Sequence, residues 1–375
     1  MHTDHLILPL FLLASGLSAG LAAQSDIVLR KDGAKMRGVE VTEFKFEAVV
    51  AKKGDEETRV PGHMVFAVEW GGLPESFTIA RAALDRGDYE TATQLFGEAA
   101  EKAERPLVKA DAEFFQVKAA VAAIGADKGA AETAAERARA WVTANADHWR
   151  LPEAMLLLGR ALRLAVKGDD AAQVLRDLDN RAINEGFGAV WSARAKYELA
   201  LTLAANGKPG EARTQFQAAN SAADTALATK SPDEAELNNI KILARIGEGE
   251  TFLTEKDYRR AESYFHGLTT SPEQGLAAAA WAGEGEAVFL GAAGKDNPGE
   301  LRRAQLALAQ GVVLDSTSGE ASAKANYYLG RCQLELGQER EGDGFKARAN
   351  SYFQIVVQSY PKSRWADEAK AALQQ

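Results

Sequence analysis

The stretch GEGETFL (residues 247–253) is followed at a distance by GEGEAVFL (residues 283–290). The same four residues recur, and each time a Phe-Leu pair closes the segment. Either the chain carries two acidic sites, or it copies a structural unit and the glutamates travel with it. Glutamates two apart in a helix point about 200° away from each other, so Glu248 and Glu250 do not converge on one proton or one metal ion. The copied unit is therefore the reading to extend, and further copies define the fold.

From Pro74 onward Ala, Leu, Glu and Arg dominate and apolar residues fall at helical spacing. Gly-Asp, Gly-Lys and Ser-Pro punctuate the pattern every ~15 residues, as helix ends do. One clear copy, IARAALDRGDYETATQLFGEAA, contains Gly87, Tyr89, Ala92, Phe96 and Ala99. LALTLAANGKPGEARTQFQAA contains Gly207, Ala212, Phe216 and Ala219, and GETFLTEKDYRRAESYFHGL contains Tyr258, Ala261 and Phe265. The last copy carries Leu329, Gly330, Ala349, Phe353 and Pro361. Weaker ones run through Leu158-Gly159 with Ala171 and Leu175, through Trp281 and Gly285 with Ala304 and Leu308, and around Ala134 and Trp141.

This pattern resembles the tetratricopeptide repeat: an L-G pair on helix A, G-x-Y at the turn, A-x-x-x-F on helix B and a closing Pro. The resemblance implies a mostly α fold, an α-α superhelix in which small residues mark the closest helix approach and each Phe fills the hole toward the next hairpin. The helix-B alanines at 92, about 134, 171, 212, 261, 304 and 349 give seven hairpins. Their spacing exceeds the ~34 residues of a minimal repeat, so helices or turns are extended. Gly285 to Ala304 and Gly330 to Ala349 share one seven-residue insertion relative to Gly249 to Ala261. The segment KSRWADEAKAALQQ reads as a capping helix with Ser363 at its N-cap. The ending SYPKSRWADEAKAAL resembles repeats of bacterial envelope proteins such as the Tol-Pal accessory and outer-membrane assembly lipoproteins. The repeat domain is assigned to residues 74–375.

Residues 26–73 alternate instead. DIVLR, MRGVEVTEF, FEAVVAKK and TRVPGHMVFAVEW are period-two runs separated by Asp-Gly and Gly-Asp turns, which read as about five short strands closing into a small barrel. Leu29, Asp32, Gly33, Gly38 and Val39, with Pro61, Val65 and Val68, resemble the motifs of an Sm-like or SH3-like barrel. RNA binding, known among Sm-like proteins, is disfavoured by a net charge of -9. Before the barrel, residues 1–23 read as a signal peptide: Leu6 to Leu13 form an apolar core, with cleavage after Ala22 or Ala23. The n-region has His2 and His5 but no Lys or Arg, and an uncleaved membrane anchor is the competing reading. No Cys lies beside the cleavage site, so no lipid anchor is expected. Cys332 is the only cysteine, which excludes an intrachain disulfide.

In the repeat register Glu248 and Glu284 stand where Leu is usual. Both units carry an Arg-Arg pair before the helix-B alanine, Arg259-Arg260 and Arg302-Arg303. The expectation is a compensated exchange in which each unusual Glu pairs with an Arg of its own hairpin; the alternative is that these glutamates point to solvent.

Little catalytic chemistry is legible. His63, His148 and His266 lie in different regions, so no His-based metal cluster is expected, and no cofactor is implied. Cys332 has no nearby base and reads as a buried apolar side chain. GAAGKDNPGE (291–300) is an inserted turn rather than a phosphate loop, and GDD (168–170) reads as helix-capping residues at a turn. Trp141 and Trp281 are expected between hairpins, whereas Trp149 and Trp191 lie near hairpin edges as candidate binding platforms. The tetratricopeptide resemblance places Arg81, Arg160, Arg163, Tyr197, Glu250, Glu286, Tyr327 and Arg331 on the concave groove, a charge pattern suited to a partner of mixed charge. The chain is thus expected to be an exported, non-enzymatic scaffold of the periplasm or cell envelope that binds protein or peptide partners. The alternatives are a cell-wall or carbohydrate-associated binding module and, behind it, an enzyme.

Overall fold

The computed structural model describes residues 25–125, 127–315, 319–337 and 344–374. The signal-peptide segment 1–23 and part of the second insertion, residues 338–343, lie outside the described residues.

The chain opens with five strands, β1 (Asp26–Arg30), β2 (Lys35–Phe44), β3 (Val49–Lys53), β4 (Glu56–Val60) and β5 (Val65–Glu69), with a 3-10 turn at Gly62–Met64 before the last. They form one antiparallel sheet of order β4-β3-β2-β1-β5. The long β2 serves two partners: Lys35 to Val39 pair with β1, and Glu40 to Phe44 pair with β3. Val28, Val39, Val41, Val49, Val60 and Val65 are buried on one face, as their alternation in sequence requires.

Fifteen helices follow among the described residues: α1 (Glu75–Asp85), α2 (Tyr89–Lys102), α3 (Pro106–Ala122), α4 (Lys128–Ala144), α5 (Leu151–Leu164), α6 (Gly168–Asn184), α7 (Ala189–Ala205), α8 (Pro209–Ala228), α9 (Glu234–Thr254), α10 (Tyr258–His266), α11 (Gln274–Ala292), α12 (Pro298–Leu314), α13 (Glu320–Gly337), α14 (Phe345–Ser359) and α15 (Arg364–Leu373). Consecutive pairs make seven hairpins, and α15 packs on α13 and α14 as a cap. Every helix-B alanine of the repeat, from Ala92 to Ala349, is buried.

The two GEGE motifs explain how one hairpin meets the next. A Cβ at Gly247 would lie 2.5 Å from the Phe216 ring of the preceding hairpin, and one at Gly249 would lie 2.4 Å from Phe265 of its own. Gly283 meets Phe265 again, and Gly285 meets Leu308. The first glycine thus receives the large residue of the hairpin before, and the second receives that of its own hairpin. Phe265 is consequently seated between two repeats, fully buried.

The intervening glutamates do not follow the expected pairing with arginine. Glu248 accepts hydrogen bonds from Gln217 (2.7 Å) and from the Tyr264 hydroxyl (2.9 Å). Glu284 lies 3.2 Å from His266 Nδ1. Arg260 turns to Asp257 at the turn, and Arg303 to Glu262 and Glu300. Glu248 is met instead by Tyr264, one turn beyond Arg260 on the same helix B, and Glu284 by His266 at the end of the preceding hairpin's helix B.

Two capping expectations also change. GDD forms the start of α6 without a side-chain cap, and Asp170 faces Arg139. Ser363 is the N-cap of α15, yet its hydroxyl makes no cap hydrogen bond. Cys332 is buried as expected, and burial pushes its thiol up to about 12.

The sheet is fastened to the repeat array at the loops that follow successive B helices. The buried Asp26 carboxylate accepts two hydrogen bonds from Arg105 at 2.7 and 2.8 Å, and one each from the Val41 and Gly71 amides. Further along, the Phe46 amide donates to Asp147 O at 2.6 Å and the Trp149 amide to Phe44 O at 3.2 Å. Phe46 packs on Phe187, ring centroids 4.2 Å apart, and Lys31 reaches Asp233 at 2.9 Å. Arg105, Asp147, Phe187 and Asp233 lie after α2, α4, α6 and α8, so one small sheet spans four consecutive hairpin junctions.

Candidate functional site

Along the array, successive A helices pack on one another more closely than successive B helices do. The array therefore curves with the A helices inside, and the A helices line its concave face.

On that face charges are largely spent on holding neighbouring repeats together. Lys118 of α3 reaches Glu153 of α5 at 2.7 Å, and Arg150, the N-cap of α5, reaches back to the buried Asp111 of α3 at 2.5 Å. Glu198 of α7 takes Arg160 at 2.5 Å and Arg163 at 3.4 Å from α5, and Arg194 of α7 pairs with Glu236 of α9. Among the described residues no ion pair joins α9 to α11 directly. Instead Lys324 of α13 reaches across: its ammonium meets Glu250 of α9 and lies 2.6 Å from Glu286 of α11. The second glutamates of the two GEGE motifs, which cannot meet their neighbours within a helix, thus converge between helices on one buried lysine. Burial would lower the Lys324 pKa; Glu250 and Glu286 outweigh it and raise the value. Burial would likewise raise the Glu250 carboxyl, but Lys324 and Arg364 hold it below the usual carboxylate range. Glu286 also accepts from the Tyr328 hydroxyl at 2.7 Å, and Arg364 of the cap reaches Glu250 at 3.3 Å.

Where the direct pairing lapses, the concave face opens into a trough of about 860 Å³. Its floor is Leu201 of α7, Ile242, Leu243 and Ile246 of α9, and Ala279 and Ala282 of α11. Tyr197 forms one wall, while Lys324 and Arg364 stand at the other with Glu250 between them. Burial and the neighbouring Glu198 push the Tyr197 hydroxyl up to about 12, so it stays a neutral hydrogen-bonding group across the physiological range.

Of the residues placed on the groove from sequence, Tyr197 and Glu250 line this trough. Arg160 and Arg163 are engaged with Glu198. Glu286 is buried within the Lys324 cluster. Tyr327 is also buried, packed on Trp365 and bonded through its hydroxyl to Arg331 at 3.0 Å. Arg81 lies at the far end of the array with its guanidinium 4.4 Å above the Phe115 ring. Lys324 and Arg364 were not singled out from sequence; a lysine in the otherwise small and apolar ASAKANYYLG was the available signal. Trp149 is buried, and Trp191 is half-buried beneath Arg194, so neither forms an open platform.

No protein-family model matches the chain, and a search of curated proteins finds no match. Solved structures do match in shape. A tetratricopeptide repeat protein from Parabacteroides merdae aligns over 80% of this chain and 96% of its own, at 15% identity and TM-score 0.51. The tetratricopeptide-sensor protein PH0952 from Pyrococcus horikoshii, described as a signal transduction ATPase with numerous domains, aligns over 80% of this chain and 44% of its own, at 13% identity and TM-score 0.52. The apo form of RapI covers 79% of each chain at 11% identity and TM-score 0.50. The fold is a tetratricopeptide-repeat-like superhelix preceded by a small antiparallel sheet. At these identities the likeness speaks to architecture, and the ligand question rests on the trough.

Proposed function

We propose that the chain is a non-enzymatic scaffold that holds an extended peptide segment of a partner protein in its concave trough. The observation that carries this reading is the trough itself: about 860 Å³, floored by aliphatic side chains from three consecutive A helices and walled by hydrogen-bonding groups. An extended strand buries alternate side chains in such a floor while its backbone bonds to the walls. Asn239 and Thr254 of α9 and Gln274 of α11 also line the trough and supply amide and hydroxyl groups of the kind a peptide backbone needs.

Residues 1–23 support export to the periplasm or cell envelope, by their apolar core and small-residue end. Among the described residues no helix is long and apolar enough to cross a membrane. For the small sheet, the strand order, the two-partner β2 and the 3-10 turn before β5 support a barrel of Sm-like or SH3-like type. Its place against four hairpin junctions supports a structural role in shaping the array.

Photocrosslinking in the native envelope tests the reading. A benzophenone amino acid at Leu201 or Ile242, inside the trough, is expected to capture a discrete protein partner. The same group at Leu306 or Val313, exposed on the outer helix α12, is the control. Equal capture from both faces, or capture only from α12, sinks the proposal.

A further inference from the structure

The charge of the trough specifies its occupant more narrowly. Four carboxylates line it, Glu250, Glu273, Asp315 and Glu320, against two cations, Lys324 and Arg364. Both cations already face carboxylates: Lys324 meets Glu250 and Glu286, and Arg364 meets Glu250 and, at 4.0 Å, Glu320. Arg245 and Lys241 act on Glu273 from outside the lining. An anion entering the trough therefore meets an excess of negative charge and no cation that is not already matched. A cation entering it meets that net excess of carboxylates, four against two among the lining residues.

The floor adds a second requirement. The residues Leu201, Ile242, Leu243 and Ile246 present aliphatic surface, which a fully polar segment would leave unmatched. The acidic groups are not scattered along this floor. Glu273 is the N-cap of α11, Asp315 the C-cap of α12 and Glu320 the first residue of α13, so all three gather at one rim, where the B helices hand over to the next A helices.

We infer that the trough takes a peptide segment that is both apolar and basic, aliphatic or aromatic side chains lying on the floor and a Lys or Arg reaching the acidic rim. This inference rests on the peptide-binding reading above and specifies the chemistry of the same site. The basic group gains from the rim without displacing Lys324, which is itself buried between Glu250 and Glu286. Complementary charge of this kind chiefly sets selectivity and association rate, and it weakens with salt.

An array of short peptides of randomised composition, probed with the purified full chain, provides the test. Retained peptides are expected to be enriched in Leu, Ile, Val or Phe together with Lys or Arg, and depleted in Asp and Glu. The Glu273→Lys/Glu320→Lys variant, altered at two exposed positions, should keep its melting temperature. It should bind the retained basic peptides about tenfold more weakly at low ionic strength, and gain acidic ones. The neutral Glu273→Gln/Glu320→Gln variant should lose the basic bias without acquiring an acidic one. Peptides retained with no basic bias, or a bias unchanged in both variants, overturn this inference while leaving peptide binding intact. If the array retains no peptide at all, the reading of the trough as a peptide site falls with it.

Discussion

The first four hairpins and the last three are held in shape by different means. Repeats in an array touch only their neighbours, so curvature is soft unless something reaches further. In the first part that reach comes from the sheet, whose contacts run from Arg105 to Asp233 across four junctions. In the last part no sheet is present, and the reach comes from charge: Lys324 bridges α9, α11 and α13, and Arg364 of the cap returns to Glu250, 114 residues earlier in the chain. The trough opens at the seam between the two. A groove there has one wall on the part contacted by the sheet and the other on an ionic cluster, so the far wall is the one whose position depends on a few side chains.

The difference between the two parts hangs most heavily on Lys324. Replacing it with Met strands Glu250 and Glu286 without their shared partner, and losing one member of a buried ionic group costs about 3–5 kcal/mol. The expected result is a loss of hydrogen-exchange protection in α9 to α15, with α1 to α8 unaffected. The triple variant Lys324→Met/Glu250→Leu/Glu286→Leu should recover most of that stability, because an apolar replacement of a buried ion cluster is often neutral or better. If the single variant loses protection evenly along the whole array, the two parts are not separately held.

Acid separates the parts next. His148 is buried between Phe44 and Trp141 where the sheet meets the array; burial, and then the Arg150 charge, lower its pKa to about 3. The unfolded imidazole binds a proton near pH 6.5, and the folded one does not until about 3. Stability is therefore complete above 6.5 and falls as the pH drops through that window, by about 2 kcal/mol at pH 5. Glu250, held below its ordinary value, contributes stability that persists above about 4.5 and fades only below it. Exchange measured at pH 5 should accordingly show the sheet and α4–α5 opening before the Lys324 cluster does. His148→Phe should abolish the early loss, while the reverse order of opening would contradict the assignment.

The sequence carried the array further than the groove, for a reason visible in particular residues. Seven hairpins were legible because the small residue of helix A and the large residue of helix B are fixed by contact between adjacent helices, and Gly249 with Phe265 is a short-range relation. The doubling of that relation was missed: Gly247 and Gly283 receive the large residue of the hairpin before. The fate of the charges was less legible still. Glu250 and Lys324 are 74 positions apart, and nothing local marks them as partners. The register alone placed Glu286 and Tyr327 on the groove surface, whereas the tightening at the cap buries both behind Trp365 and Lys324.

The helix-B arginines carry a smaller effect. Arg260 and Arg303 were expected to compensate inward glutamates; they instead meet exposed or half-exposed partners near the turns. Surface pairs of this kind contribute roughly 0–1 kcal/mol, so Arg260→Leu and Arg303→Leu should each leave the melting temperature nearly unchanged. A more telling small effect lies at the turn itself. Among the tight hairpins the first and fourth leave helix A through a glycine in the left-handed region, Gly87 at φ 78° and Gly207 at φ 72°, whereas the third uses Val166 at φ 61° and the fifth uses Lys256 at φ 59°. A β-branched residue there holds its Cβ against the following carbonyl, at a cost of about 1–2 kcal/mol that glycine avoids, partly offset by the freedom glycine loses on folding. Val166 is also exposed, so its side chain contributes little packing. Val166→Gly should then raise stability by about 0.5–1 kcal/mol, and because the residue lies within the braced part, hydrogen exchange should show the gain in α1–α8 alone. A loss of stability on this substitution would mean that the valine serves a contact outside the hairpin, and the strain argument at that turn would be wrong.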